Sequence, residues 1–347
     1  MRKLLLFTLV ILLFKTSFSQ EEIKVLFLGN SYTYANDLPK MIEDIAANDN
    51  KVFIHESVTP GGCTLFQHVD SQTSMSKIQQ GNWDYVVLQE QSQLPSIDYY
   101  RHNSMNPAYK TLYDSIMHYN HNAKVVGYMT WGRRYGGQQC VNFGEGLYCS
   151  ADFVDFNHMQ DSLTAAYCEN AYATNSYVAP VGEAWKAALA SNPSLTLHSS
   201  DNSHPSYEGS YLAACVFYSI FWKQSPIGIY HDKQIDASNA ELLQTIANDV
   251  VFNNLEKWNI KNEKITENFE NKNYKITNNP KNNNVIIESK NESSFNVKIF
   301  NINGVLVNEK DINGHDIIEL SNQKGVYIIQ ISESNSKVKY SDKIIKY

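Results

Sequence analysis

Beyond residue 19, the 347-residue chain lacks any apolar run approaching the ~20 residues that a helix needs to cross a bilayer. The nearest candidate lies at the amino end, where Arg2 and Lys3 precede an apolar stretch over residues 4–14 and Ser17-Phe18-Ser19 follows. That stretch is too short to span. A basic start, a short apolar segment and small residues together read as a secretory signal over residues 1–19, cleaved after Ser19. An exported protein without a transmembrane segment is expected. Positive charge is also scarce. Residues 20–256 hold 12 basic and 25 acidic side chains, a balance of −13, whereas from Lys257 onward 14 lysines meet 11 carboxylates. Nucleic acid demands a basic face, so no such partner is expected. Attraction to an anionic membrane surface is disfavoured for the same reason.

Cysteine is sparse, with five residues. In an oxidising compartment Cys140 and Cys149, close together in a Gly-rich stretch, form the expected disulfide. Cys168 and Cys215 fall in apolar helical patterns and are expected to pack as small hydrophobes; Cys63 fits either role. His118 and His121 near a helix end have no evident third ligand, so no metal site is expected. A Gly-x-Ser-x-Gly elbow is missing as well, which argues against an ordinary α/β-hydrolase.

What is present is alternation. Short apolar runs over residues 23–28, 51–58, 84–88, 124–129 and 177–181 read as strands, and helical patterns cover 39–48, 106–118, 152–174, 183–190 and 206–222. Continuous apolar strands separated by helices predict an α/β fold, a parallel sheet covered on both faces. The expected strand order is flavodoxin-like, 2-1-3-4-5, with a site at the carboxyl ends of the strands. This body spans residues 20–258. An Asn/Lys-rich linker is expected over 259–284, and a small all-β module over 285–347, with Asn303-Gly304 as a hairpin turn.

Three features carry chemistry. Gly29-Asn30-Ser31-Tyr32 follows the first strand, where a serine presents its hydroxyl at the sheet edge; an N-cap serine is the plain alternative. Asp201-Asn202-Ser203-His204-Pro205 precedes the last helix of the body. There a carboxylate can fix the imidazole tautomer and leave the other ring nitrogen to take a proton. Gly61-Gly62-Cys63-Thr64 and Gln89-Glu90-Gln91-Ser92 follow strands two and three and are candidate donors to a negatively charged oxygen.

The joint order resembles the SGNH (GDSL-like) hydrolase superfamily over residues 23–225. Gly29-Asn30-Ser31-Tyr32 is similar to its first block, with Asn30 for the usual aspartate. Gly62 resembles the second-block glycine, and Asp201-x-x-His204 the fifth block. The third block departs: Leu88-Gln89-Glu90-Gln91-Ser92 is closer to the Gln-Gly-Glu-Ser version of some carbohydrate acetylesterases. The resemblance implies a Ser31–His204–Asp201 triad and an oxyanion hole from Ser31, Gly62 and Gln89, with Gln91 or Gln93 as alternatives. It implies a serine esterase that deacetylates a carbohydrate and needs no cofactor. A lipid esterase and a non-catalytic glycan binder are the alternatives. The aromatic segment 130–158 holds Trp131, Arg133 and Tyr135 as candidate pocket residues, with Phe143, Tyr148 and Arg134 beside them; an ordinary tethered surface loop is the other reading. The terminal module, with Val297-Lys298-Ile299-Phe300-Asn301 and Gly325-Val326-Tyr327-Ile328-Ile329, resembles the C-terminal sorting domain of type IX (Por) secretion substrates. That resemblance implies the secretion machinery as partner and a secreted or surface location; a carbohydrate-binding module is the other reading.

Overall fold

The computed structural model describes residues 21–260, 269–270, 274–279, 284–289, 294–301, 305–319, 325–333 and 340–346. The expected signal peptide and the Asn303-Gly304 turn lie outside the described residues. The chain divides into two units, residues 1–261 and 262–347.

In the first unit the strands are β1 (Glu22–Leu28), β2 (Val52–Val58), β3 (Tyr85–Leu88), β4 (Lys124–Tyr128), the hairpin β5 (Gly137–Phe143) and β6 (Gly146–Phe153), and β7 (Tyr177–Ala179). Five of them form one parallel sheet in the order β2-β1-β3-β4-β7. Counting those five in chain order gives 2-1-3-4-5, the flavodoxin-like arrangement expected from the sequence. β3 is buried along its whole length, as a strand covered on both faces must be, while edge strand β2 buries only Phe53 and Val58. The helices are α1 (Ser31–Tyr34), α2 (Leu38–Asn48), α3 (Leu65–Asp70), α4 (Gln72–Ile78), α5 (Asp98–Tyr100), α6 (Asn106–Tyr119), α7 (Phe156–Thr174), α8 (Val181–Ser191), α9 (Tyr207–Trp222) and α10 (Ala237–Phe252). α9 is buried on every face from Gly209 to Trp222. Its Phe217 and Phe221 meet Phe27 of β1 edge-on, with ring centroids 5.8 and 6.5 Å apart.

Two segments differ from expectation. The helix expected over 152–174 begins only at Phe156, because residues 146–153 pair with 137–143 as a two-stranded ribbon. Cys140 and Cys149 stand opposite each other in that ribbon and form the expected disulfide; Cys63, Cys168 and Cys215 are free. Helix α10 falls in a stretch where the sequence reading placed no element. Its buried residues Ala240, Leu243, Ala247 and Val251 recur at helical spacing. Among the described residues, no helix is long and apolar enough to cross a membrane.

The second unit holds β8 (Phe269–Glu270), β9 (Tyr274–Asn279), β10 (Asn284–Ser289), β11 (Ser294–Asn301), β12 (Leu306–Asn313), β13 (His315–Glu319), β14 (Gly325–Glu333) and β15 (Tyr340–Lys346). They make two four-stranded antiparallel sheets, β13-β10-β9-β8 and β12-β11-β14-β15. Alternate residues Phe295, Val297 and Ile299 of one sheet and Val285 and Ile287 of the other share one apolar cluster. β8 and β9 fall within the stretch read as a linker. Its Asn/Lys content masked the alternation of Tyr274 and Ile276 with polar neighbours.

One carboxyl is buried in the first unit. Glu90 is inaccessible to solvent. Its oxygens share the Leu65 N–H at 3.3 and 3.4 Å, and Oε1 accepts the Gln91 N–H at 2.6 Å. Burial pushes this carboxyl up to about 7, against the pull of the two backbone donors. The native state therefore keeps a proton that the unfolded chain loses near the ordinary value of 4.5. The stability this contributes is complete below the unfolded value and is lost as pH rises through about 7. Glu90→Gln should remove that decline. Between pH 4.5 and 8 the parent protein should lose on the order of 3 kcal/mol more than the variant. Urea unfolding of both proteins at the two pH values measures the difference, and equal losses would show that the carboxyl does not titrate this way. A second expectation concerns the ribbon. Replacing Cys140 and Cys149 together by alanine should lower unfolding free energy by about 2–3 kcal/mol, the chain-entropy value for so short a loop. Urea melts of the oxidised parent and the double variant check it.

Candidate active site

Ser31 opens α1 at the carboxyl end of β1. Asn30 before it is extended, and its Oδ1 caps the helix by accepting the Tyr32 N–H at 3.1 Å. Asn30 is buried and bonded on every side. Its N–H donates to Gln89 Oε1 at 2.9 Å, its Oδ1 also accepts Gln89 Nε2 at 2.9 Å, and its Nδ2 donates to the Cys63 carbonyl at 2.8 Å. The turn after β1 is thus tied to the end of β3 and to the loop after β2. An aspartate here would have no donor for Cys63, which accounts for the asparagine. Gly29 is required by the same closeness: a Cβ would sit 2.6 Å from Gln89 Oε1 and 2.7 Å from Thr33 Oγ1.

His204 stands on a loop closed upon itself. The Ser199 N–H bonds the His204 carbonyl at 2.8 Å, and the Ser206 N–H bonds the Leu197 carbonyl at 2.7 Å. Asn202 turns the chain at a left-handed φ of 60°. Asn36 fastens the loop to the far end of the serine segment, its Nδ2 lying 3.2 Å from the Pro205 carbonyl and 3.0 Å from that of Ser206. Inside the loop Asp201 Oδ1 accepts the N–H groups of Ser203 and His204, each at 2.9 Å, and the Ser199 hydroxyl at 2.7 Å. Asp201 Oδ2 lies 2.5 Å from His204 Nδ1, and His204 Nε2 lies 2.9 Å from Ser31 Oγ. Burial raises the Asp201 carboxyl, but the donors from His204, Ser199 and the Ser203 and His204 amides outweigh it. They hold it well below the usual carboxylate range. Ser31, His204 and Asp201 therefore form one hydrogen-bonded chain.

Aromatic packing fixes that chain from beneath. The Tyr32 ring lies edge-on to His204 at 5.3 Å and stacks on Trp131 at 4.6 Å, and Trp131 stacks on Trp185 at 4.0 Å. The Tyr32 hydroxyl is 2.7 Å from Ser203 Oγ, and Trp131 Nε1 donates to the Ser203 carbonyl at 2.9 Å. This corrects one expectation. Trp131 is 1% exposed and cannot stack on a ligand; it is a strut for the Asp201–His204 loop. The sequence reading named Tyr32 within the serine block but gave it no role of its own, although its position next to Ser31 was the clue.

A second correction concerns Gln89. Its side chain is fully buried, Oε1 accepts from Asn30 N and the Thr33 hydroxyl, and Nε2 donates to Asn30 Oδ1 and the Glu90 carbonyl. Both amide hydrogens are spent, so none is left for a substrate oxygen. Gln91 differs, its Oε1 being buried without a hydrogen-bond partner. Gly62 occupies an exposed turn at φ +69°, with open space where a Cβ would be. Neither the Ser31 nor the Gly62 N–H has a partner among the described residues. Gln93 accepts from Arg133 Nη2, which also reaches Ser92 Oγ at 3.2 Å. Tyr135 is 70% exposed, with the Arg134 guanidinium 5.6 Å from its ring centre. His198 is buried against the Gly132 carbonyl at 2.9 Å, and burial pushes it down to about 4. Among the described residues no three His, Cys, Asp or Glu side chains converge as a metal site.

Comparison with known proteins adds to this geometry. A DUF4886 family protein from Bacteroides uniformis superposes with a TM-score of 0.55 at 18% identity, over 67% of this chain and 96% of that one. It shares the fold. A candidate SGNH hydrolase from Slackia heliotrinireducens matches at 24% identity over 57% and 98%, with a TM-score of 0.45. A carbohydrate esterase of family 3 from Talaromyces cellulolyticus matches at 11% over 58% and 97%, with a TM-score of 0.42. No curated protein matches the chain by sequence. Residues 275–347 match the family described as the secretion system C-terminal sorting domain. The chain thus ends in such a sorting domain, and ahead of it lies the fold shared with the DUF4886 family protein.

Proposed function

We propose that the protein is a secreted serine esterase that deacetylates a carbohydrate. The observation that supports it is the chain Asp201–His204–Ser31, with contacts of 2.5 and 2.9 Å. In this reading Asp201 accepts the Nδ1–H of His204, which leaves Nε2 to draw the proton from Ser31 Oγ as the oxygen attacks an ester carbonyl. The tetrahedral intermediate puts negative charge on the carbonyl oxygen. The unbonded N–H groups of Ser31 and Gly62 are its donors, each worth about 3–4 kcal/mol. The uncommitted Gln91 amide takes the third place that Gln89 cannot fill. His204 then returns its proton to the leaving alcohol, and water repeats the sequence to free acetate. Exposed Tyr135 beside the site supports a sugar as the alcohol.

The C-terminal sorting domain favours delivery through the type IX secretion system to the medium or the cell surface.

Ser31→Ala and His204→Ala should each lower kcat on p-nitrophenyl acetate by ~10⁴-fold or more, and the double variant should be little worse than either, because the residues act as a unit. Multiplying losses would separate them. Asp201, held far below the usual carboxylate range, should add no acid limb to the pH profile of kcat/KM, and a limb in that range would count against its placement. Deleting residues 277–347 should leave purified activity and the body's melting temperature nearly unchanged while halting the protein in the periplasm of its host. Assay and cell fractionation of the truncated protein test both parts, and normal export would remove the sorting role.

A further inference from the structure

Residues 21–260 contain three arginines, of which Arg101 pairs with Asp98 and Glu169. The other two, Arg133 and Arg134, are adjacent at the site. Among the described residues neither has a carboxylate within 4.0 Å. This is unexpected in a body with 12 basic and 25 acidic side chains, where counter-charges are plentiful.

Arg133 is half-buried and tightly placed. Its backbone N–H meets Met159 Sδ at 3.2 Å, and Gly132 N donates to Gln160 Oε1 at 3.0 Å. The Arg134 N–H bonds the Asn202 carbonyl at 3.2 Å, within the loop that carries Asp201 and His204. From this base the guanidinium reaches across to the loop after β3, where Nη2 bonds Ser92 Oγ and Gln93 Oε1. The side chain therefore bridges the carboxyl ends of β4 and β3, on the sheet edge where Ser31 follows β1. Its charge is felt at the Tyr32 hydroxyl, where it opposes the effect of burial.

Both acceptors are neutral, and Nε and Nη1 have no acceptor among the described residues. A guanidinium partly withdrawn from water and met only by neutral groups has lost hydration without gaining a counter-charge. Its Nε–H and Nη1–H groups remain to donate charge-assisted hydrogen bonds, which a carboxylate accepts best. We propose that Arg133 is an anion subsite and that the substrate is an ester bearing a carboxylate, an O-acetylated uronic acid unit being the fitting class. This rests on the esterase reading of Ser31, His204 and Asp201. The net negative charge of the body repels anions at long range, so recognition acts on contact and shows in KM.

The test uses monoacetates of a methyl uronoside and of the methyl hexoside that differs only in carrying CH2OH for the carboxylate, with p-nitrophenyl acetate as a small neutral reference. The parent protein should favour the uronoside in kcat/KM by at least roughly tenfold, mainly through KM. In Arg133→Gln and in Arg133→Met the ratio should fall to within about threefold of one, with the uronoside losing more than the reference ester. Equal rates in the parent, or a preference that survives both substitutions, would overturn the proposal. If neither variant folds, the parent ratio alone decides. Should the parent fail to hydrolyse p-nitrophenyl acetate, the esterase reading falls, and calorimetric binding of the unacetylated methyl glycosides then judges the subsite. Selective binding of the uronoside by the parent supports it, and equal binding of the two glycosides overturns it.

Discussion

A buried pair of amides, Asn30 and Gln89, holds the carboxyl edge of the sheet together. Between them they tie together the turn after β1, the loop after β2 and the end of β3, and every side-chain nitrogen and oxygen of the pair has a partner. Such a network is costly if half made and rigid when complete. The placement of Ser31, the exposure of the Gly62 turn and the need for glycine at position 29 all follow from it. The same completeness removes Gln89 from any contact with substrate. Position 89 is therefore structural in this chain.

The second support is apolar. Tyr32, Trp131 and Trp185 stack in series, and two of them reach Ser203 in the middle of the Asp201–His204 loop. Stacked rings have few rotamers, so a loop bonded to them is held at little cost in entropy. That loop carries Asp201 and His204, while its position is set by buried rings. The arrangement leaves Arg133 as the charged group between the strand-four and strand-three loops, and the proposed substrate class follows from its missing counter-charge.

The two units suit different tasks. The parallel body encloses its own core and carries every residue of the proposed chemistry. The antiparallel unit has a separate cluster of Val, Ile and Phe and matches a sorting domain.

The strands of the body were legible because strands buried on both faces leave runs such as Val86-Val87-Leu88 that no amphipathic pattern imitates. The serine turn and the Asp-x-x-His loop were legible because each depends on neighbours in sequence: Asn30 caps its own helix, and Asp201 reaches an imidazole three residues away. Helix α10 and the ribbon around Cys140–Cys149 escaped, since one is amphipathic only against α8 and α9 and the other is defined by cross-strand pairing. The roles of Gln89 and Trp131 escaped for the same reason. Glutamine and tryptophan can donate to a ligand or to the protein, and only the partners brought to them from distant segments decide which. Sequence by itself determined what is local, namely the strand pattern, the serine turn and the Asp201–His204 loop. Tertiary structure decided which polar groups were already spent, because a hydrogen bond between residues 59 apart, such as Asn30 to Gln89, leaves no trace in spacing or composition.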